Sequence, residues 1–187
     1  MNSRVTWKGK FYESLEHCSI KQSAKRTTIA STIVGVHKRN IYQLNYLVET
    51  NNKWETKLAE VEIVLNNTRQ KITCKKEKGK YFINGKRSAD FDSVTDIDIT
   101  LTPFTNTLPI RRLLLKNGEK ATINVAYFDV FEKTLKPATQ HYSKISAREY
   151  LFQTGNKDFR ATITIDSDGL VTNYPALFKM IAKQRYR

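Results

Sequence analysis

Apolar side chains recur at every second position through most of this chain, and that period commits it to strands rather than helices. Tyr42, Leu44, Tyr46 and Val48 share one face of a run from Ile41 to Val48, after a similar run from Ile29 to Val36. Val61, Ile63 and Leu65 stand against Glu60 and Glu62, and Ile123, Val125 and Tyr127 against Asn124, Ala126 and Phe128. Ala161, Ile163 and Ile165 repeat the pattern against Thr162 and Thr164. The cleanest case is Val94 to Leu101, where Ile97, Ile99 and Leu101 point to a dry face and Asp96, Asp98 and Thr100 to a wet one.

Asn84-Gly85, Asn117-Gly118 and Asp168-Gly169 lie between such runs and tolerate the positive φ of tight turns, so successive strands are expected to be antiparallel neighbours. One helix is expected from Pro175 to about Gln184: proline is pre-set for a first helical position, and Leu177, Phe178 and Ile181 then form one stripe. No linker-like composition and no fixed-period repeat divides the chain, so residues 1–187 read as a single domain.

Thirty-two Lys and Arg against 18 Asp and Glu give a formal net charge of +14, enough to attract polyanions or an anionic lipid surface. The cations are spread out, with mild concentrations at Lys71 to Lys80 and after Asp168, which a solvated face explains as well as a ligand does. A nucleic-acid partner is therefore not favoured, although the charge keeps it as an alternative. No secretory h-region opens the chain, no apolar run reaches transmembrane length, and Cys18 and Cys74 form no disulfide framework. These features point to a cytosolic protein with reduced thiols.

Catalytic and cofactor signatures are sparse. His17 and Cys18 are adjacent and so face opposite ways on a strand, and no metal-ligand or nucleophile-elbow motif occurs. GKYFINGK, Gly79 to Lys86, has the wrong spacing for a phosphate loop and reads as a hairpin. We expect no cofactor and no metal site. Asp96 and Asp98 project side by side and, with Asp129, are the candidates for an enzyme acting on a small anionic or sugar-like substrate. Arg111 and Arg112 offer an alternative, in which one arginine turns to a buried Asp and the other meets solvent or an anionic ligand.

The segment TPFTNTLPIRRL, Thr102 to Leu113, carries two prolines six residues apart, which forbid regular pairing. It is expected to leave the strand ending at Leu101, bend, and start another at Ile110. Either it is a rigid corner closing the sheet with Phe104 and Leu108 as plugs, or its Asn and Arg side chains form a polar rim for a ligand headgroup.

At these residues the chain resembles a bacterial family described as "putative glycolipid-binding", of unknown function. The likeness also runs through Trp7, Leu15-Glu16, Tyr46 with Val48-Glu49, Trp54 with Val61, Asp96 and Asp98. It continues with Val125-Ala126-Tyr127, Asp129-Val130, Gln140-His141-Tyr142, Asp168-Gly169-Leu170-Val171 and Tyr174-Pro175. The resemblance implies a mainly β fold, a single long antiparallel sheet rolled around one α-helix, distantly like lipoprotein-carrier folds. It also implies a lipid or glycolipid ligand. In such a roll Tyr42, Tyr46, Tyr127 and Phe159 line the concave face and either fill the core or wall a cavity. The expected ligand-binding residues are Asn106, Arg111, Arg112, Tyr127 and Asp129, in a binding module rather than an enzyme.

Overall fold

The computed structural model describes residues 2–186. Its first half is a meander of β1 (Asn2–Gly9), β2 (Ser14–Gln22), β3 (Arg26–His37), β4 (Asn40–Asn51), β5 (Thr56–Leu65), β6 (Thr68–Glu77), β7 (Lys80–Ile83) and β8 (Lys86–Arg87). After β9 (Asp96–Ile99) comes the helical segment, a 3-10 turn at Phe104–Asn106 running into α1 (Thr107–Leu113). A second meander follows: β10 (Lys120–Asp129), β11 (Thr134–Ser146), β12 (Glu149–Thr154), β13 (Arg160–Ile165), β14 (Val171–Tyr174) and β15 (Phe178–Arg185). All fifteen strands belong to one open sheet, ordered 8-7-6-5-4-3-2-1-15-14-13-12-11-10-9. The two ends of the chain thus meet in its middle, and residues near its centre form both edges.

Every residue from Leu101 to Ile110 is buried, so this segment is the axis around which the sheet rolls. Phe104 and Leu108 join the core lined by β1 to β7, whereas Ile110 joins the core under β10 to β15. The Tyr46 ring stacks on Phe104 at 6.4 Å. Trp7 Nε1 donates to the Val171 carbonyl at 2.6 Å and stitches the two halves across the central seam.

Three expectations are corrected here. The segment does not start a strand at Ile110 but forms the helix: Pro109 falls in its first turn, where a missing N–H costs nothing, and Leu114 ends it in the left-handed conformation at φ 48°. Pro175 to Gln184 is not a helix. Pro175 and Ala176, at φ 62°, are the central residues of a turn closed by Leu177 N–H to the Tyr174 carbonyl at 3.1 Å. The following residues form β15, whose backbone pairs with β1 on one side and β14 on the other. With period two, Phe178 is buried and Ile181 is exposed, so the helical stripe does not exist. Finally, the face of β9 expected to be wet is not uniformly so: Asp96 is as buried as Ile97 and Ile99, while Asp98 is half-buried. Its pairing with β10 is parallel, the one departure from antiparallel order, since α1 carries the chain back across the roll.

Glu16 anchors the axis to the first meander. Its Oε1 accepts hydrogen bonds from Tyr46 at 2.6 Å, Ser31 at 2.8 Å and Thr102 at 3.0 Å, while Oε2 has no partner among the described residues. Burial outweighs these three donors and pushes its pKa up to about 7. A carboxyl raised above its unfolded value favours folding when protonated; that contribution is complete below the ordinary value of 4.5 and is lost as pH rises through about 7. Across that window the loss amounts to about 3 kcal/mol at about 1.4 kcal/mol per unit. Urea unfolding of wild type and Glu16→Gln between these pH values is expected to show a falling stability that the variant flattens; parallel curves contradict this.

Candidate functional site

The second half of the roll is not filled. A cavity of about 840 Å³ opens between α1's approach, β10, β11, the β12–β13 turn and the start of β15. Tyr42 and Tyr46 are packed into the first core, whereas Tyr127 and Phe159 line the cavity, so the concave aromatics divide between filling and walling.

One wall is aromatic. Tyr12, from the β1–β2 turn, stacks on Phe178 at 5.6 Å; Phe178 meets Tyr174 at 6.2 Å, and Tyr174 meets Phe152 at 6.1 Å and Phe159 at 6.2 Å. Tyr174 and Phe178 are cross-strand partners in the β14–β15 hairpin, Phe152 comes from β12, and Tyr12 and Phe159 come from turns. Burial raises the phenol pKa values of Tyr12, Tyr127 and Tyr174 above the ordinary value, so all three remain hydrogen-bond donors.

The opposite wall is built around Asp98. Gln140 Nε2 donates to its Oδ2 at 2.6 Å and Thr105 Oγ1 to its Oδ1 at 2.9 Å, while Tyr142 donates to Gln140 Oε1 at 3.3 Å. Burial raises the Asp98 pKa in spite of Thr105 and Gln140, and no Lys or Arg pairs with it among the described residues. Asn106 lies in the same wall, buried, with its Oδ1 unpartnered among the described residues. Lys136, whose Nζ sits 5.9 Å from the Tyr127 ring centre, and Asp158, held below its ordinary pKa by hydrogen bonds from Thr154 and Asn156, belong to the exposed rim.

Asp96, two residues before Asp98 on the same strand, has the opposite fate. Arg112 Nη2 meets its Oδ2 at 2.6 Å, and Arg112 Nε meets the same oxygen at 3.2 Å. Burial raises the Asp96 pKa and Arg112 opposes that rise. Arg111 turns the other way, with its guanidinium 4.9 Å from the Trp54 ring centre and Nη1 donating to the Asp168 carbonyl at 3.2 Å. Of the residues expected at the site, Asn106 and Tyr127 therefore reach the cavity wall. Arg111 and Arg112 tie α1 to its surroundings, and Asp129 accepts from the Phe131 and Glu132 amides to shape the β10–β11 turn.

Sequence reasoning missed Tyr12, Gln140, Phe152, Tyr174 and Phe178 as site residues. Gln140 carried a signal: it is a buried polar side chain at the position where strand alternation asks for an apolar one. The aromatics carried none, because their periodicity is equally that of a filled core.

Fold and site together define a rolled β-sheet protein with an amphipathic cavity. The chain belongs to the family described as "Putative glycolipid-binding", whose model matches residues 4–180. Among solved structures it is similar to a DUF1089 family protein from Pseudomonas aeruginosa, with 28% identity, a TM-score of 0.78, and coverage of 88% of this chain and 91% of that one. No curated protein matches it. No helix among the described residues is long and apolar enough to cross a membrane.

Because Asp96 is buried, removing its partner strands a charge. Arg112→Ala is expected to cost about 3–5 kcal/mol in urea unfolding, and the double change Asp96→Leu with Arg112→Met to recover most of it. A loss below about 1 kcal/mol for the single variant, as at exposed pairs, would contradict the role assigned to this pair.

Proposed function

We propose that the cavity binds an amphipathic molecule with a hydroxylated headgroup, a glycolipid being the class that fits best. The observation that carries this reading is the pairing of a half-buried carboxyl without a cation and an unpartnered amide oxygen on one wall with linked aromatic rings on the other. Sugar hydroxyls are donors that satisfy Asp98 and Asn106, and the tyrosine phenols supply donors in return. An acyl or alkyl portion, and the apolar face of a sugar ring, suit Phe152, Phe159 and Phe178. The volume falls in the range of roughly 300–1,000 Å³ common for small-molecule sites. The headgroup is thus assigned to Asn106, Asp98 and Tyr127, with Arg111, Arg112 and Asp129 acting outside the cavity.

Calorimetric titration with octyl glucoside below its micelle concentration, beside octanoate, tests the reading. Binding of the glycoside in preference to the fatty acid is expected, weakened about tenfold or more by Asp98→Asn, in line with a hydrogen bond to a charged or buried acceptor. No binding of the glycoside, together with native mass spectra free of co-purified lipid, would sink it.

A second reading has one observation in its favour. Asp98 has a raised pKa and Asp158, lining the same cavity, a lowered one, the division of labour of an acid and a base in sugar chemistry. It requires release of nitrophenol from aryl glycosides that Asp98→Asn abolishes; turnover absent from a panel of such substrates removes it.

A further inference from the structure

The end of the roll that carries the β1–β2, β3–β4 and β10–β11 turns combines exposed apolar side chains with exposed cations. We propose that this tip docks on the surface of an anionic phospholipid bilayer. Phe11, in the β1–β2 turn, is 70% exposed and Ile41, at the start of β4, 79%. Leu15 stands opposite Val34 and Val36 opposite Ile41 on the outward face, and all four are exposed. One step further along the same strands the outward residues are His17, Thr32 and Asn45, so on β2 to β4 the large exposed apolar side chains gather at the tip. The Val36 amide donates to the Glu13 carbonyl at 3.3 Å and holds the Phe11 turn against β3. The β10–β11 turn is fixed to the same end by Phe131, stacked on His37 at 3.7 Å.

Charge selects the partner. Lys10, Lys38, Arg39 and Lys133 are exposed here and form no ion pair among the described residues, against Glu13 and Glu132. Some cations elsewhere are engaged, Lys71 with Glu60, Lys183 with Asp166 and Arg185 with Asp168, whereas these four stand beside exposed apolar side chains with no acid bound to them among the described residues. Lys38 and Arg39 occupy a two-residue turn at φ 49° and 68°, the backbone for which Asn-Gly is the least strained choice. Two long cations at such positions have no local structural reason. An anionic bilayer satisfies both halves of the pattern, since apolar side chains enter the boundary between headgroups and acyl chains while lysine and arginine meet phosphates. The adjoining residue Tyr12 lines the cavity, so one turn presents Phe11 outward and Tyr12 to the proposed ligand. The proposal stands apart from the cavity reading, because a surface can dock without the cavity being occupied.

Vesicle co-sedimentation, with phosphatidylcholine containing phosphatidylglycerol against phosphatidylcholine alone, is the test. Wild type is expected to sediment with the anionic vesicles and to be released by salt. Lys38→Asn with Arg39→Gly, which suits the turn, is expected to weaken binding about thirtyfold, the sum of two cations near an anionic surface. Phe11→Ser with Ile41→Ser is expected to weaken it as clearly, with unchanged melting temperature and unchanged octyl glucoside titration. Absent or equal binding to the two vesicle types, or undiminished binding by both variants, overturns the proposal. So does a dimer in light scattering that the same variants dissolve, which assigns the tip to a second copy of the chain.

Discussion

Ten consecutive residues, Leu101 to Ile110, lie out of solvent, and four of them carry polar side chains. Burying such a segment costs least where its polar atoms find partners inside the protein, as Thr102 and Thr105 do, while Asn106 Oδ1 and Thr107 Oγ1 find none among the described residues. Thr102 finds Glu16 at 3.0 Å and also accepts the Phe104 amide, and Thr105 finds Asp98. The carboxylates of β2 and β9 thus fix the axis at two points, one in each half of the roll. Where the two meanders close on this axis, one half packs solid with Phe104, Tyr46 and Leu108. The other meets α1 only through Ile110 and its neighbours and leaves the cavity open.

Two carboxylates two residues apart on β9 therefore do different work. Asp96 is neutralised by Arg112 and makes the end of α1 part of the sheet, while Asp98 is held by neutral donors, Thr105 and Gln140, beside open space. A carboxyl partly withdrawn from solvent without a cation is costly unless hydrogen bonds or a ligand compensate it. The same wall leaves Asn106 Oδ1 without a protein donor. A polar wall facing linked aromatic rings is an arrangement to which an amphiphile brings what both sides lack.

Strand alternation was legible for most of the sheet, since each strand from β2 to β5 has one buried face and a wetter one. Turn chemistry was less so: Asn84-Gly85 announces its hairpin, but Lys38-Arg39 adopts the same backbone with residues that give no warning. Local pattern misplaced the helix. Pro175 and the Leu177, Phe178, Ile181 spacing suit a helix, yet the pairing needs of β1 and β14 decide that stretch. Pro109, read as a breaker, sits in a helical first turn. The candidate site was half legible: Asn106 and Tyr127, singled out through the Thr102 to Leu113 segment and strand alternation, line the cavity. Phe152, Tyr174 and Phe178 became wall residues through the pairing of β12 to β15, which no single strand encodes.

In the proposed function Asp98 and Asn106 receive a hydroxylated headgroup while the aromatic wall receives its apolar part. A crystal structure with bound octyl glucoside tests this most directly. The account predicts sugar hydroxyls within hydrogen-bond distance of Asp98 and Asn106 Oδ1 and the alkyl chain against Phe152 and Phe178. A glycoside bound with its sugar turned away from both residues, or found only on the outer face of the sheet with the cavity holding solvent, would contradict it.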